Sequence, residues 1–183
     1  MNKTIKFTIT VIWILFSRSY DAYCTHQLTP DLSNEANPLV SIFSLTWTPL
    51  LIVLGLCTIY TVYAYYVSVF KPINLLPTER GYTFSNIVAY TYLGYKENWI
   101  SILYKLPKDL NRFNQYMGQL LTSCLVYAGI LSTIMWLLIN KTEYYYKEIH
   151  SASLIYLFLI TGAIAIIYNW NRTKYQEYLA SIK

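Results

Sequence analysis

Gln119 to Ile139 reads QLLTSCLVYAGILSTIMWLLI, twenty-one residues without one charged side chain. At 1.5 Å of rise per residue, a helix of that length covers about 30 Å, the thickness of a bilayer's hydrocarbon core. Ala152 to Tyr168 (ASLIYLFLITGAIAIIY) is a second such stretch, with Trp170 placed to sit at headgroup level. A third runs from about Leu45 to Phe70. Its Pro49 falls in the first helical turn, where a missing N–H costs little. Tyr60, Tyr63, Tyr65 and Tyr66 form an aromatic belt toward its far end.

The first apolar segment is less simple. Ile5 to Phe16 is only twelve residues long and follows the basic start Met-Asn-Lys-Thr-Ile-Lys. That is also the outline of a secretory signal peptide, with Ser17 and Ser19 as small residues before a cleavage point and removal of about residues 1–19. A helix continuing through Ser17-Arg18-Ser19-Tyr20-Asp21-Ala22-Tyr23 would instead reach spanning length, and a retained first span is the expectation.

The basic residues test a four-span arrangement independently. Lys3 and Lys6 precede span one. Lys71, Arg80, Lys96, Lys105, Lys108 and Arg112 lie between spans two and three, and Arg172, Lys174 and Lys183 follow span four. Only Arg18, Lys141 and Lys147 fall on the opposite side. Cytoplasmic loops carry the excess of Lys and Arg, so both termini and the long middle loop are expected in the cytoplasm.

Composition closes off other classes. Charged residues make up 13% and hydrophobic ones 55%, against about 25% charge in an ordinary soluble domain. Three cysteines give no disulfide framework, and Cys57 and Cys124 fall inside apolar stretches. No Gly-x-x-x-x-Gly-Lys or Gly-x-Gly-x-x-Gly stretch offers a phosphate cradle. The net charge of +5 is spread thinly beside hydrophobic segments, which suits anionic lipid headgroups and not a nucleic-acid groove. Spans two to four hold no Asp, Glu, Lys, Arg or His at midplane, so ion or proton transport by this chain alone is disfavoured. Ala128-x-x-x-Ser132, Gly129-x-x-x-Thr133 and Thr161-x-x-x-Ala165 let helices approach closely.

The middle loop is not an ordinary polar connection. Phe84, Ile87, Val88 and Thr91 fall at helical spacing, with Thr83 or Ser85 as cap and Gly94 as breaker. Trp99, Ile102, Leu103 and Leu106 repeat the pattern until Pro107 stops it. Apolar faces flanked by Tyr, Trp and Lys suit helices lying in the headgroup plane over residues 82–116. They either brace the bundle or dock a partner membrane-protein subunit.

A site, if the chain has one, belongs to the first external segment. Arg18, Asp21 and Thr25 share one helix face at i, i+3 and i+7, and an Arg–Asp pair softens the cost of either charge at membrane depth. Glu35-Ala-Asn37-Pro38 redirects the chain, since the residue before a proline avoids helical geometry and a new element can begin after it. His26 and His150 fall on the same side, as do Cys24 and Asp31. Their types suit a first-row metal, but no His-Glu-x-x-His or Cys-x-x-Cys spacing accompanies them, so no metal and no cofactor is expected. No Gly-x-Ser-x-Gly elbow positions a serine nucleophile.

Asp21 and Thr25, followed by Glu35-x-Asn37-Pro38-Leu39, resemble the motif of an uncharacterised family of small bacterial polytopic membrane proteins. The likeness covers about residues 18–60. It implies a multi-pass architecture in a bacterial inner membrane and a marked polar cluster, and it implies no reaction. The middle loop has no counterpart in that pattern.

These readings define an all-α fold: a four-helix transmembrane bundle with amphipathic interfacial helices in the cytoplasmic middle loop. Spans are expected over about 4–25, 45–70, 118–139 and 151–170, in a single integral membrane domain over 1–183. The function expected first is a non-enzymatic subunit or scaffold of a membrane complex, meeting lipid and partner subunits. The alternative is a membrane enzyme or a small-ligand or metal binder using Arg18, Asp21, Thr25, Glu35 and Asn37 at the outer surface.

Overall fold

The computed structural model describes residues 2–32, 37–142 and 151–182. Among them every regular element is helical: α1 (Lys3–Leu28), α2 (Pro38–Ser41), α3 (Trp47–Phe70), α4 (Phe84–Leu93), a 3-10 helix (Trp99–Leu103), α5 (Leu110–Lys141) and α6 (Ala152–Ser181). Three of them, α3, α5 and α6, are long and apolar enough to cross a membrane. The chain divides into two compact units, Met1–Tyr60 with Cys124–Gly162, and Thr61–Ser123 with Ala163–Lys183.

In the first unit α1 is continuous from Lys3 to Leu28, capped at its start by the Asn2 side chain, which accepts from Thr4 N at 3.0 Å. The helix that carries the apolar run of twelve therefore continues unbroken through Ser17 to Tyr23, giving about 39 Å of helix in all. Its contacts with α5 rise together in number. Trp13 Nε1 donates to Val126 O at 3.4 Å, Arg18 Nη2 to Ser132 Oγ at 2.9 Å, and Trp136 Nε1 to Asp21 Oδ1 at 2.7 Å. The two helices run parallel. Gly129 makes the approach possible, because a Cβ there would collide with the buried Ser17 hydroxyl. Against α6, Tyr127 Oη donates to Phe158 O at 2.8 Å, and the same ring covers Gly162.

The second unit is held by the first turns of α5. Asp109 Oδ1 accepts from Arg112 N at 2.8 Å, an N-terminal cap that starts the helix at Leu110, well before the expected span boundary near 118. Gln115, only 1% exposed, donates to the last carbonyls of α3, Val67 O at 3.1 Å and Lys71 O at 2.7 Å. A Cβ on Gly118 would strike the Ala64 carbonyl, so α3 and α5 touch backbone to backbone and run antiparallel. Trp170 Nε1 donates to Gln119 Oε1 at 2.8 Å, which ties α6 to α5 here as well.

Local signals in the middle loop act as the residues dictate. Thr83 and Asn86 cap α4 reciprocally, and Gly94 ends it at φ +88°. Yet α4 has no exposed residue, and its apolar side chains pack inward: Ala89, Tyr92 and Leu93 join Tyr116 and Leu120, while Ile87 joins Tyr82 and Tyr178. The expected amphipathic α-helix over Trp99 to Leu106 is a single 3-10 stretch. Pro107 keeps Leu106 out of helical geometry, and Asn98 supplies no side-chain cap, so an α-helix is favoured at neither end of the stretch.

Candidate functional site

Arg18 and Asp21 meet as their spacing requires, with Nη1 and Oδ2 3.4 Å apart on one face of α1. Two residues of α5 complete the group. Ser132 accepts from the second guanidinium nitrogen, and the Trp136 indole donates to the other carboxylate oxygen. Each group is about one-third exposed: side-chain exposure is 28% for Arg18 and 32% for Asp21. The arrangement is a charge-assisted network across two helices, in which both carboxylate oxygens face donors. Arg18 Nε is buried without a partner.

The other expected residues lie elsewhere. Thr25 ends α1: its carbonyl accepts from Thr29 N at 2.8 Å and Thr29 Oγ1 at 3.0 Å. The Asn37 side-chain oxygen accepts from Leu39 N at 3.0 Å and caps α2, so Asn37-Pro38 begins a fresh element as its turn chemistry requires. His26 packs its ring against Trp47, centroids 5.1 Å apart, and Trp47 Nε1 donates to Pro30 O at 2.8 Å. Glu35 and His150 fall outside the described residues. Among the described residues no three His, Cys, Asp or Glu side chains converge as metal ligands. A shallow groove of about 500 Å³ beside this turn is lined by Asp31, Leu32, Val40 and Trp47 among others.

Sequence reasoning missed Ser132 and Trp136, which lie more than 110 positions from their partners. Two signals pointed to them. Ser132 closes the small-residue pattern from Ala128, and an indole N–H inside an apolar helix needs an acceptor.

In the second unit Arg112 is a buried cation, 9% exposed, counted from sequence only as a topological charge. Its guanidinium donates to Leu75 O at 3.1 Å, Tyr90 O at 3.0 Å and Asn74 O at 3.2 Å, and lies over the Tyr90 ring. It thereby caps the C-terminus of α4, where carbonyls and helix dipole favour a cation. Tyr178 is the second clamp: its hydroxyl donates to Glu79 O at 3.0 Å and accepts from Tyr82 N at 3.1 Å. Burial, then the nearby Glu79 carboxylate, pushes the Tyr82 phenol above its usual value. Both clamps consume their polar groups in holding backbone. Comparison with family models, with curated proteins and with solved structures finds no match to this chain.

Proposed function

We propose that the chain is a multi-pass membrane protein of four spans, both termini cytoplasmic, serving as a non-enzymatic subunit or scaffold in a membrane complex. The fourth span is α1, whose length suffices and whose parallel course along Val126 to Trp136 keeps it beside the apolar part of α5. A helix held there is surrounded by hydrocarbon. Its Arg18 and Asp21 are then affordable because each neutralises the other and Ser132 and Trp136 each add a bond to the pair.

The observation that carries the non-enzymatic reading is that same network. Each Asp21 oxygen faces a donor of the protein, Arg18 on one side and the Trp136 indole on the other, which is how a pair that braces α1 against α5 is bonded. Partner subunits remain a proposal for the middle segment 82–116. Within it α4 offers no open face. One observation favours the second reading, a small-ligand binder at this cluster: the unpartnered Arg18 Nε.

Gentle extraction from native membrane, followed by native mass determination and elemental analysis, tests the choice. A stoichiometric protein partner with no bound small molecule or metal is the expected result. A lone chain carrying a ligand that is lost in Arg18→Met would overturn it.

A further inference from the structure

Residues 99–110 display the most exposed apolar side chains of the second unit. Leu103 is 79% exposed, Leu106 84% and Leu110 75%, and Trp99, Ile100 and Tyr104 stand open beside them. The display is rigid. Trp99 N donates to Ser85 Oγ at 3.1 Å, Asn86 Nδ2 to Glu97 O at 2.8 Å, and Lys108 N to Leu93 O at 2.8 Å, which ties the segment's backbone to α4 at both ends. Lys105 donates to the Glu97 carboxylate across the segment's base. That bond holds Glu97 below and Lys105 above their ordinary values. Beneath the surface Ser101 is buried and Ile102 packs on the core around Tyr92.

We propose that this segment is a membrane-surface foot, its apolar side chains seated in the headgroup layer of an anionic leaflet. Three observations select lipid as the occupant. The first is height. Gln115 bonds the Lys71 carbonyl, where the apolar stretch of α3 stops. Leu110 lies five residues before Gln115, about 8 Å further along α5, close to the thickness of one headgroup layer. The second is chemistry: Trp99, Tyr104 and four large aliphatic residues are interleaved with Lys105 and Lys108, the mixture that interfacial segments use. The third is charge. The unit holding this segment has nine basic residues against four acidic ones, and so accounts for the chain's whole net charge of +5. With Arg112 buried and Lys105 and Lys174 paired to carboxylates, the exposed Lys71, Arg80, Lys96 and Lys108 are cations that complement anionic headgroups.

The inference rests on the proposal that α3 and α5 cross the bilayer, so the experiment reads the two separately. The full chain, with Cys24, Cys57 and Cys124 replaced by Ala and Leu106→Cys added, is spin-labelled and reconstituted into vesicles of phosphatidylcholine and phosphatidylglycerol. A second sample keeps Cys57 of α3 as its sole cysteine, and a third carries Arg80→Cys as a water-exposed reference. Collisions with oxygen and with a water-soluble nickel chelate are compared. The foot is expected to show an oxygen-to-nickel ratio several-fold above that at position 80, and to lose part of it when phosphatidylglycerol is omitted. A water-like ratio at 106 with a lipid-like ratio at 57 would overturn the foot and leave the spans standing. Shielding of 106 from both reagents would overturn it in favour of a protein partner or a second copy. A water-like ratio at 57 would overturn the spanning proposal and the foot with it.

Discussion

Asp21 receives donors from two helices, Arg18 of its own and Trp136 of α5, and both would be stranded by its loss. Asp21→Ala leaves an indole N–H without an acceptor and a guanidinium with only the Ser132 hydroxyl, a cost of about 2–3 kcal/mol. The expected result is a lower unfolding midpoint in detergent. Adding Arg18→Met removes the stranded charge and should recover much of that loss, since a polar pair replaced at both ends is far cheaper than one broken at one end. A loss in the double variant equal to the sum of the two single losses would mean that the two residues are not coupled. The pair itself was legible in the sequence, because three residues of helix bring i and i+3 together. Its partners were not, since hydrogen bonds between distant helices leave no spacing to read. Arg112 escaped for another reason: its acceptors are the carbonyls of Asn74, Leu75 and Tyr90, and a carbonyl looks the same under every residue type.

Three glycines separate close packing from mere composition at the scale of the helix. A methyl group on Gly118 would meet the Ala64 carbonyl and the Tyr65 nitrogen, backbone atoms that cannot step aside. Gly118→Ala is expected to destabilise by about 1–3 kcal/mol through overpacking, despite alanine's better helix propensity. At Gly162 the obstacle is the Tyr127 side chain, which has rotatable bonds, so Gly162→Ala should cost less. Gly55 has nothing within 4 Å, and Gly55→Ala should be neutral or stabilise by about 0.4–1 kcal/mol. Thermal unfolding in one detergent ranks the three, and a Gly118→Ala protein as stable as Gly55→Ala would refute the backbone contact. Apolar length made α3, α5 and α6 visible before any coordinates, and cap chemistry fixed α4 at Thr83 and Gly94. Periodicity alone could not say what α4 faces: the stripe around Ile87 is apolar whether it meets lipid or protein, and here Tyr178 and Tyr82 cover it. From Trp99 to Leu106 the helical spacing is present but the backbone winds only as a 3-10 stretch over Trp99–Leu103, ahead of Pro107.

At the scale of the whole molecule the open question is the direction of α1, and two independent arguments agree on it. Lys3 and Lys6 stand before the helix and Arg18 near its far end, a bias that favours a cytoplasmic N-terminus. The rising pairs Trp13 with Val126 and Asp21 with Trp136 orient α1 along α5, the helix that leaves the basic middle loop. On the proposed topology α5 runs outward from that loop and α1 with it. That topology then requires the sequence from α1 to α6 to alternate out, in, out, in, with Pro38–Ser41 outside. Single cysteines at exposed positions in a protein otherwise free of cysteine test this with a membrane-impermeant thiol reagent on intact cells. Ser41→Cys is expected to react at once, whereas Thr4→Cys, Arg80→Cys and Ala180→Cys should react only after permeabilisation. Reaction of Thr4→Cys from outside, with the other three unchanged, would leave α1 on the outer surface and reduce the protein to three spans. The network of Arg18, Asp21, Ser132 and Trp136 would then have to form at the water boundary, where a charged pair has little need of an indole and a hydroxyl from a neighbouring helix.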